Sequence, residues 1–293
     1  MSDVRAGRIP VTGGTVWYRI VGAGKEGFPL LVLHGGPGAP HDYLQPLEGL
    51  AGERPVVFYD HLGSGQSDKP DNALLWTPKR FVDELAQVRE ALGMERVHIL
   101  GQSWGGALAV EYMLTQEPKG VGSLVLSAPL ISASRWAQDQ QAYVAELPEG
   151  AQQAIRQSEA SGAFESPEYQ EAMMGYYRLH LCRMDPWPDY VARAFEQLNL
   201  DVYQYMWGPS EFTITGTLKD FERVDQLKKI EVPVLFTAGE YDEAPPATIR
   251  YFQENLPGSE VAVFPNASHM HHIEQEDEYR RVVREFVRRA EGG

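Results

Sequence analysis

The chain carries a series of short apolar runs, and patterns typical of helices separate most of them. Six of these runs occupy residues 30–33, 56–59, 97–100, 124–126, 232–236 and 261–264. Continuous apolar runs of this length are typical of strands that are buried on both faces of a sheet. Strands that alternate with helices predict parallel pairing with right-handed crossovers. The pattern therefore predicts an α/β fold, with helices on both faces of a mostly parallel central sheet.

Other segments extend this framework. Residues 7–22 predict an N-terminal β-hairpin, because two β-rich stretches flank the turn signal Thr12-Gly13-Gly14. A helix is predicted from the cap residue Thr77 to the closing Gly93. A last helix is predicted over residues 276–290, where arginines near its end suit the helix dipole.

One long interval, residues 131–221, contains no buried-strand pattern. It carries helical patterns rich in Gln, Glu, Tyr, Met and Trp. Ligands of open α/β sheets bind outside the carboxyl ends of the strands. An insertion that leaves after the 124–128 strand is placed to cover that crevice. We therefore predict a core domain of residues 1–130 and 222–293, and a helical cap domain of residues 131–221.

Composition restricts the partners. The 293 residues include 41 acidic and 26 basic side chains, a formal charge of −15 that disfavours nucleic acid. The opening MSDVRAGRIP lacks the apolar segment of a signal peptide, and no run approaches the roughly 18 apolar residues of a membrane span. Cys182 is the single cysteine, so no internal disulfide can form. We expect a cytoplasmic protein with no nucleic-acid or membrane partner.

Residues 101–105, GQSWG, match the pattern G-x-S-x-G, and Gly106 follows them. A strand pattern precedes this segment and a helical pattern follows it. In that context the motif indicates the nucleophile elbow of an α/β-hydrolase fold, a sharp turn that holds a serine in a strained conformation. The flanking glycines are needed because a side chain there would clash with the neighbouring strand or helix. We predict Ser103 as a catalytic nucleophile.

A serine hydroxyl needs a base to take its proton, and the base needs an acid to fix its tautomer. In this fold the acid follows the serine in the chain, and the histidine follows the acid. The loop after residues 232–236 offers Glu240, Asp242 and Glu243. Asp242 lies well beyond the strand, where a carboxylate can reach across to a histidine. We predict Asp242 as the acid.

Three histidines follow the last apolar run, in the segment NASHMHH. His269 comes first and lies on the loop, so we predict it as the base. His271 and His272 fall at the start of the next helix, where we expect either surface residues or supports behind the site. A metal site of His269, His272 and a carboxylate lacks the helical H-x-x-x-H spacing of zinc hydrolases and leaves Ser103 without a role. We expect no metal or organic cofactor.

The negative charge that develops on an attacked carbonyl needs hydrogen-bond donors. The glycine-rich segment HGGPG follows the apolar run at residues 30–33, where this fold places one donor, and the amide after the nucleophile supplies the other. We predict the backbone N–H groups of Gly36 and Trp104 as the oxyanion hole. Gly35 is the alternative if the register differs by one residue, and a simple glycine-rich turn is the structural alternative.

With HGGPG at 34–38, GQSWGG at 101–106 and DHLGSGQSD at 60–68, the chain resembles the proline iminopeptidase family of serine aminopeptidases over most of its length. HGGPG is the specific part, since many other α/β-hydrolases carry bulkier residues after HG. Within that family, GPSEF at 208–212 and GEYDE at 239–243 resemble the tricorn-interacting aminopeptidase and related amino-acid amidases.

The resemblance implies that Glu211 and Glu243 bind the free α-amino group of a substrate. Such an amine is largely protonated at neutral pH, and two partly desolvated carboxylates would hold it by charge-assisted hydrogen bonds. The implied activity is release of the N-terminal residue from short peptides or amino-acid amides through an acyl-enzyme. The structural alternatives are a solvated acid on the cap for Glu211 and a helix N-terminal acid for Glu243.

Two departures from the family pattern argue against a strict proline preference, and the preferred residue stays open. His61-Leu62 stand where many proline iminopeptidases carry an arginine, and Gln102 stands where they usually show glycine. Apolar side chains before Glu211 could line a pocket for the first side chain or pack in a helical core: Tyr203, Tyr205, Met206 and Trp207.

Two alternative functions use the same fold. The first is an esterase or carbon–carbon bond hydrolase that has the triad but does not recognise an amine. The second is a ligand-binding protein that has lost catalysis, which the complete set of triad residues disfavours. An epoxide hydrolase or dehalogenase is disfavoured because those enzymes use aspartate at the elbow. The oligomeric state cannot be predicted.

Overall fold

In the computed structural model, which describes residues 3–292, eight strands form one sheet. They are β1 (Val4–Val11), β2 (Gly14–Val21), β3 (Leu30–Leu33), β4 (Val56–Tyr59), β5 (Val97–Gln102), β6 (Val121–Ser127), β7 (Val234–Gly239) and β8 (Glu260–Phe264). Their spatial order is β1-β2-β4-β3-β5-β6-β7-β8. The hairpin β1–β2 and the pair β2–β4 are antiparallel, and every other pair is parallel. The predicted mostly parallel sheet is confirmed.

The described residues also form ten α-helices and three 3₁₀ segments. The helices are α1 (Pro78–Ala91), α2 (Trp104–Gln116), α3 (Ala133–Glu146), α4 (Glu149–Ser161), α5 (Pro167–His180), α6 (Asp189–Glu196), α7 (Leu200–Met206), α8 (Pro246–Glu254), α9 (His271–Glu274) and α10 (Glu276–Ala290). The 3₁₀ segments are His41–Gly52, Ala73–Leu75 and Val224–Lys229. None of the helices in the described part of the chain is long and apolar enough to cross a membrane.

The caps of α1 and the turn of the N-terminal hairpin lie where the sequence predicts them. The Thr77 hydroxyl accepts a hydrogen bond from the Arg80 N–H at 3.3 Å and caps α1. Gly93 follows this helix with a φ of +64°, a conformation that favours glycine. The hairpin turns at Thr12-Gly13. Several strand boundaries differ from the apolar runs. For example, β7 begins at Val234 rather than at residue 232, and β6 begins at Val121 rather than at residue 124.

The central strands are buried on both faces, as their continuous apolar runs predict. Leu31 and Leu33 of β3 belong to one apolar cluster, whereas Leu30 and Val32 belong to another. Successive side chains of a strand point to opposite faces of the sheet. The two clusters are therefore the two cores that pack helices against the sheet.

Between β6 and β7 the chain forms five helices, α3 to α7, and no strand of the sheet. The first of them starts beside the returning chain, since the Ala133 N–H donates to the Phe221 carbonyl at 2.9 Å. Cys182 is buried in this segment. A helical interval is thus present where the sequence indicates one. Its treatment as a cap domain bounded at 131 and 221 stays a prediction.

Candidate active site

Ser103 lies at the turn between β5 and α2. Its φ of 54° and ψ of −118° form a strained conformation for a residue with a side chain. Its backbone is held on both sides, because its N–H donates to the Ser127 carbonyl at 2.9 Å and its own carbonyl accepts from the Gly106 N–H at 2.9 Å. The turn therefore has the geometry predicted for a nucleophile elbow.

The glycines around Ser103 allow this turn to pack against the sheet. A Cβ on Gly105 would overlap the carbonyl group of Leu33, and a Cβ on Gly101 would overlap the carbonyl group of Gly105. A side chain at either position would push α2 away from β3 and β5. The structure thus confirms that a side chain at either glycine of the motif would clash with the neighbouring strand or helix.

Asp242 and His269 form a buried, hydrogen-bonded pair. Nδ1 of His269 lies 2.8 Å from Oδ1 of Asp242, and both side chains are almost wholly buried. The carboxylate also accepts from the Gly239 N–H at 2.9 Å and the Ala244 N–H at 3.0 Å. Because Asp242 accepts from Nδ1, Nε2 of a neutral His269 is left with its lone pair free. This is the tautomer that a general base needs.

The charge state of Asp242 follows from its neighbours. Burial by itself would raise the pKa of this carboxyl group, but His269 and His271 together hold the pKa well below its ordinary value. Asp242 is therefore ionised at neutral pH. Within residues 3–292, the Ser103 hydroxyl makes no hydrogen bond to His269. Hydrogen bonds of this kind are often long in free enzymes and tighten when substrate binds.

His271 supports the Asp242 carboxylate from behind. Its Nδ1 lies 3.1 Å from the Ser268 carbonyl and 3.4 Å from Oδ2 of Asp242, while Nε2 contacts the Thr237 hydroxyl at 2.8 Å. The residue is fully buried. Of the two expectations for His271, the surface position is wrong and the supporting position is confirmed.

His272 is also buried, so the surface expectation is wrong for this residue too. Its Nε2–H donates to the Tyr43 carbonyl at 3.1 Å, which ties α9 to the 3₁₀ segment His41–Gly52. Burial, together with the nearby His271, lowers the pKa of His272 to about 3. The ring is therefore neutral and structural. Among residues 3–292, no cluster of His, Cys, Asp and Glu could hold a metal ion.

The two predicted oxyanion donors are free of other partners. In the described part of the chain, the N–H groups of Gly36 and Trp104 donate to no protein acceptor. The Gly35 N–H, by contrast, donates to the Tyr43 hydroxyl at 2.6 Å. This bond disfavours Gly35 as the alternative donor. A Cβ added to Gly35 would lie 3.1 Å from the Cβ of Ser103, so this loop passes directly beside the elbow.

His34 controls the direction of the Gly36 N–H. Its Nδ1–H donates to the Gly35 carbonyl at 3.0 Å, and its Nε2 accepts from the His61 N–H at 2.9 Å. The peptide between Gly35 and Gly36 is trans, so the Gly36 N–H points away from that carbonyl. Burial lowers the pKa of His34 to about 4, which keeps the ring in this neutral tautomer. No local pattern in the sequence indicates this role, although His34 begins the HGGPG motif.

Glu243 is the most unusual polar group near His269. It is fully buried, and neither carboxylate oxygen has a hydrogen-bond partner among the described residues. Its Oε2 lies 3.7 Å from Nε2 of His269. Burial, followed by the charges of Glu211 and Asp242, raises the pKa of Glu243 well above its ordinary value. An unpaired buried carboxylate is costly unless a cation reaches it.

Glu211 approaches the same region from the chain between α7 and β7. One of its carboxylate oxygens accepts a hydrogen bond from the Tyr203 hydroxyl. Burial raises the pKa of Glu211, while the nearby His269 opposes that shift. The charge of Glu211 in turn contributes to the raised pKa of Glu243, after the larger effect of burial.

A cavity of about 270 Å³ opens between the sheet and the helices α5 to α7. Its walls include Gly36, Gln102, Glu211 and His269, together with apolar side chains of the helices. Of the four apolar residues considered before Glu211, only Tyr203 lines this cavity. Met206 and Trp207 are buried in the core and Tyr205 is exposed. The expectation of a pocket wall therefore holds for one residue of the four.

Known proteins resemble this chain over nearly its whole length. The family with the alpha/beta hydrolase fold matches residues 29–276. The proline iminopeptidase of Heyndrickxia coagulans is 43% identical over 282 residues, which cover 96% of this chain and 98% of that protein. This chain belongs to the proline iminopeptidase family. The predicted α/β-hydrolase fold and the predicted family are both confirmed.

Solved structures agree with this family. The proline iminopeptidase of Mycobacterium smegmatis superposes with a TM-score of 0.89 at 37% identity, over 98% of each chain. VinJ superposes with a TM-score of 0.93 at 35% identity, over 99% of this chain and 100% of that one. Esterases that are 20 to 21% identical share the fold.

The departures from the proline iminopeptidase pattern lie close to the site. His61 and Leu62 are buried, and His61 packs on His34 with ring centroids 3.8 Å apart. Gln102 accepts from the Tyr43 hydroxyl at 2.7 Å, and this hydroxyl in turn holds the Gly35 N–H. His61 and Gln102 therefore support the HGGPG segment from behind.

Proposed function

We propose that this protein is a serine aminopeptidase that hydrolyses the amide bond after the N-terminal residue of short peptides or amino-acid amides. Ser103 is the nucleophile, His269 the base and Asp242 the acid. The observation that carries the proposal is the position of Glu243, a buried carboxylate without a partner that lies 3.7 Å from Nε2 of His269.

The distance between Glu243 and His269 is meaningful because of the substrate's own geometry. In an aminoacyl group, a single carbon separates the amine from the carbonyl that Ser103 attacks. A site for the ammonium must therefore lie close to the base. Glu243 meets this requirement, and Glu211 supplies a second carboxylate. A bound ammonium would form charge-assisted hydrogen bonds to these carboxylates, and its charge would favour the ionised form of Glu243 over the protonated form that burial favours.

The first half of the reaction forms an ester. Oγ of Ser103 attacks the carbonyl carbon while Nε2 of His269 takes the hydroxyl proton. The resulting imidazolium is stabilised by the ionised Asp242. The N–H groups of Gly36 and Trp104 hold the oxyanion of the tetrahedral intermediate. His269 then gives its proton to the departing amine, and the aminoacyl group stays bound to Ser103.

The second half releases the product. Water attacks the ester carbonyl, His269 takes a proton from the water, and the free amino acid leaves when Oγ of Ser103 recovers that proton. No metal ion or organic cofactor takes part in this scheme. The substrate partner is a small peptide or amino-acid amide with a free amino terminus.

A panel of chromogenic substrates tests the proposal. It contains the arylamides of proline, alanine and phenylalanine, their N-acetylated forms, and aryl esters without an amine. We expect turnover of free aminoacyl arylamides and a large loss after N-acetylation. Equal turnover of free and acetylated forms, or turnover of esters alone, would identify an esterase without amine recognition.

The Ser103→Ala variant provides the control for the triad. It should keep the melting temperature of the wild type and lose labelling by a fluorophosphonate probe together with all turnover. Arylamide hydrolysis by this variant at the wild-type rate would contradict the role of Ser103. Failure of the wild-type protein itself to react with the probe would favour a binding protein that has lost catalysis.

A further inference from the structure

One face of α3 contacts the main chain of all three functional carboxylate residues. Trp136, Gln140 and Tyr143 are spaced by four and three positions, so they lie on the same face of the helix. Each of them donates one hydrogen bond from its side chain to a backbone carbonyl. The three carbonyls belong to Glu211, Glu243 and Asp242.

The three hydrogen bonds have ordinary lengths. Nε1 of Trp136 donates to the Glu211 carbonyl at 3.2 Å. Nε2 of Gln140 donates to the Glu243 carbonyl at 2.8 Å. The Tyr143 hydroxyl donates to the Asp242 carbonyl at 3.0 Å. These bonds cross between residues that are 75 to 103 positions apart in the sequence.

Each donor is itself held in place. The Tyr176 hydroxyl of α5 donates to Oε1 of Gln140, which fixes the orientation of the Gln140 amide. Tyr143 stacks on His180 with ring centroids 3.8 Å apart. Trp136 packs edge-to-face on His269 and on Trp207, at 5.8 Å in each case. The donors therefore cannot swing freely away from their carbonyls.

The helix that carries the donors is fixed to the core along a neighbouring face. Nε of Arg135 donates to the Thr248 hydroxyl at 2.8 Å, and this hydroxyl donates to Asp139 at 2.6 Å. Arg135 and Asp139 belong to α3, whereas Thr248 belongs to α8 of the core. The position of α3 is therefore tied to α8 of the core.

We propose that Trp136, Gln140 and Tyr143 are positioning residues that set the amine-binding carboxylates and the triad acid at fixed distances from one another. Trp136 positions Glu211, Gln140 positions Glu243, and Tyr143 positions Asp242. This inference rests on the proposed function and adds the residues that determine its selectivity for free amines. The peptide carbonyl is held in each case, and the carboxylate side chain is left free for its partner.

The proposal predicts that two of the variants change KM and the third changes kcat, a difference that a merely structural role would not produce. Trp136→Phe and Gln140→Met each remove one donor, and both should raise KM for aminoacyl arylamides about 3- to 10-fold. Neither should change the hydrolysis of an aryl ester that lacks an amine. Tyr143→Phe should instead lower kcat about 3- to 10-fold for both substrate types, because Asp242 serves every reaction of the triad.

Matched controls separate these effects from general damage to the cap. Trp187→Phe removes an indole that donates to the Cys182 carbonyl at 3.1 Å and does not itself line the cavity. Gln141→Met changes the exposed neighbour of Gln140. Both controls should keep wild-type kinetics. An equal loss on amine and ester substrates for Trp136→Phe and Gln140→Met would overturn the proposal, and so would unchanged kinetics for all three variants.

The outcome can be separated from a failure of the proposed function. If Ser103→Ala abolishes turnover and N-acetylation blocks it, the function stands, and only the division between KM and kcat decides the roles of the three donors. If Gln140→Met fails to fold, the other two variants still test the proposal. Trp136→Phe is expected to raise KM for amine substrates alone, and Tyr143→Phe is expected to lower kcat for all substrates.

Discussion

Oε2 of Glu243 lies 3.7 Å from Nε2 of His269, on the side of the ring that faces away from Asp242. The imidazole is therefore placed between one carboxylate that fixes its tautomer and another that has no hydrogen-bond partner of its own among the described residues. We expect Asp242 to serve the chemistry of the triad and Glu243 to recognise a cation. Replacing Glu243 should change which substrates are used without stopping catalysis.

The variant Glu243→Gln should raise KM for aminoacyl arylamides about 10- to 100-fold, the value expected for one charge-assisted hydrogen bond. Hydrolysis of an aryl ester without an amine should stay within about twofold of the wild-type value. Steady-state kinetics on both substrates measures the effect. The control is Glu231→Gln, an exposed glutamate before β7. A similar loss on the ester would show that Glu243 acts on the triad instead.

The same variant should change how stability depends on pH. Burial raises the pKa of Glu243, so the folded protein keeps a proton that the unfolded chain releases above about pH 4.3. Stability from this group therefore falls as pH rises through the interval between the two pKa values. Glu243→Gln should remove that decline and be the more stable protein near neutral pH. Urea unfolding at several pH values measures it, and an unchanged pH profile would contradict the prediction.

Two substitutions at His34 should separate its two hydrogen bonds. His34→Asn keeps a donor near the Nδ1 position, which holds the Gly35 carbonyl, whereas His34→Gln places its amide near the Nε2 position. We expect His34→Gln to lower kcat about 10- to 100-fold, because the Gly36 N–H is no longer aimed at the oxyanion. His34→Asn should lose less, with KM little changed in both. A larger loss in His34→Asn would contradict the role assigned to Nδ1.

The buried His272 should destabilise the protein in acid. Its pKa is lowered to about 3 in the folded state, so the unfolded chain binds a proton that the folded chain does not. Stability is therefore complete above about pH 6.5 and is lost as pH falls, by about 1.4 kcal/mol per pH unit for one such proton. His272→Phe should flatten this slope although it also loses the bond to Tyr43. Urea unfolding near neutral pH and in mild acid compares the two proteins, and equal slopes would contradict the prediction.

Much of the fold could be predicted because its signals are local. The strand β4 coincides with its apolar run, and α10 coincides with its amphipathic pattern. The elbow is a local signal too, since the G-x-S-x-G pattern and the strand and helix on either side of it lie in one short stretch of the chain. The choice of Asp242 among three acids relied on chain position alone, and in the structure this is the residue whose carboxylate bonds His269.

The supporting residues could not be predicted because their partners are distant in sequence. His272 bonds the carbonyl of Tyr43, which lies 229 positions earlier, and Tyr43 in turn holds the Gly35 N–H. No pattern in the NASHMHH segment distinguishes such a buried ring from an exposed one. The face of α3 did carry a signal. Trp136, Gln140 and Tyr143 recur at helical spacing, and each of them carries a side-chain hydrogen-bond donor.

The close contact between Gly105 and Leu33 has a consequence for how such a protein can change over evolutionary time. A residue larger than glycine at position 105 would push α2 away from the sheet. Random mutagenesis should therefore recover almost no active clones with a replacement of Gly105. The cavity wall contributed by α5 to α7 meets no such restriction. New substrate ranges should therefore arise by exchanging residues in that wall, with the turn that carries the serine inherited unchanged.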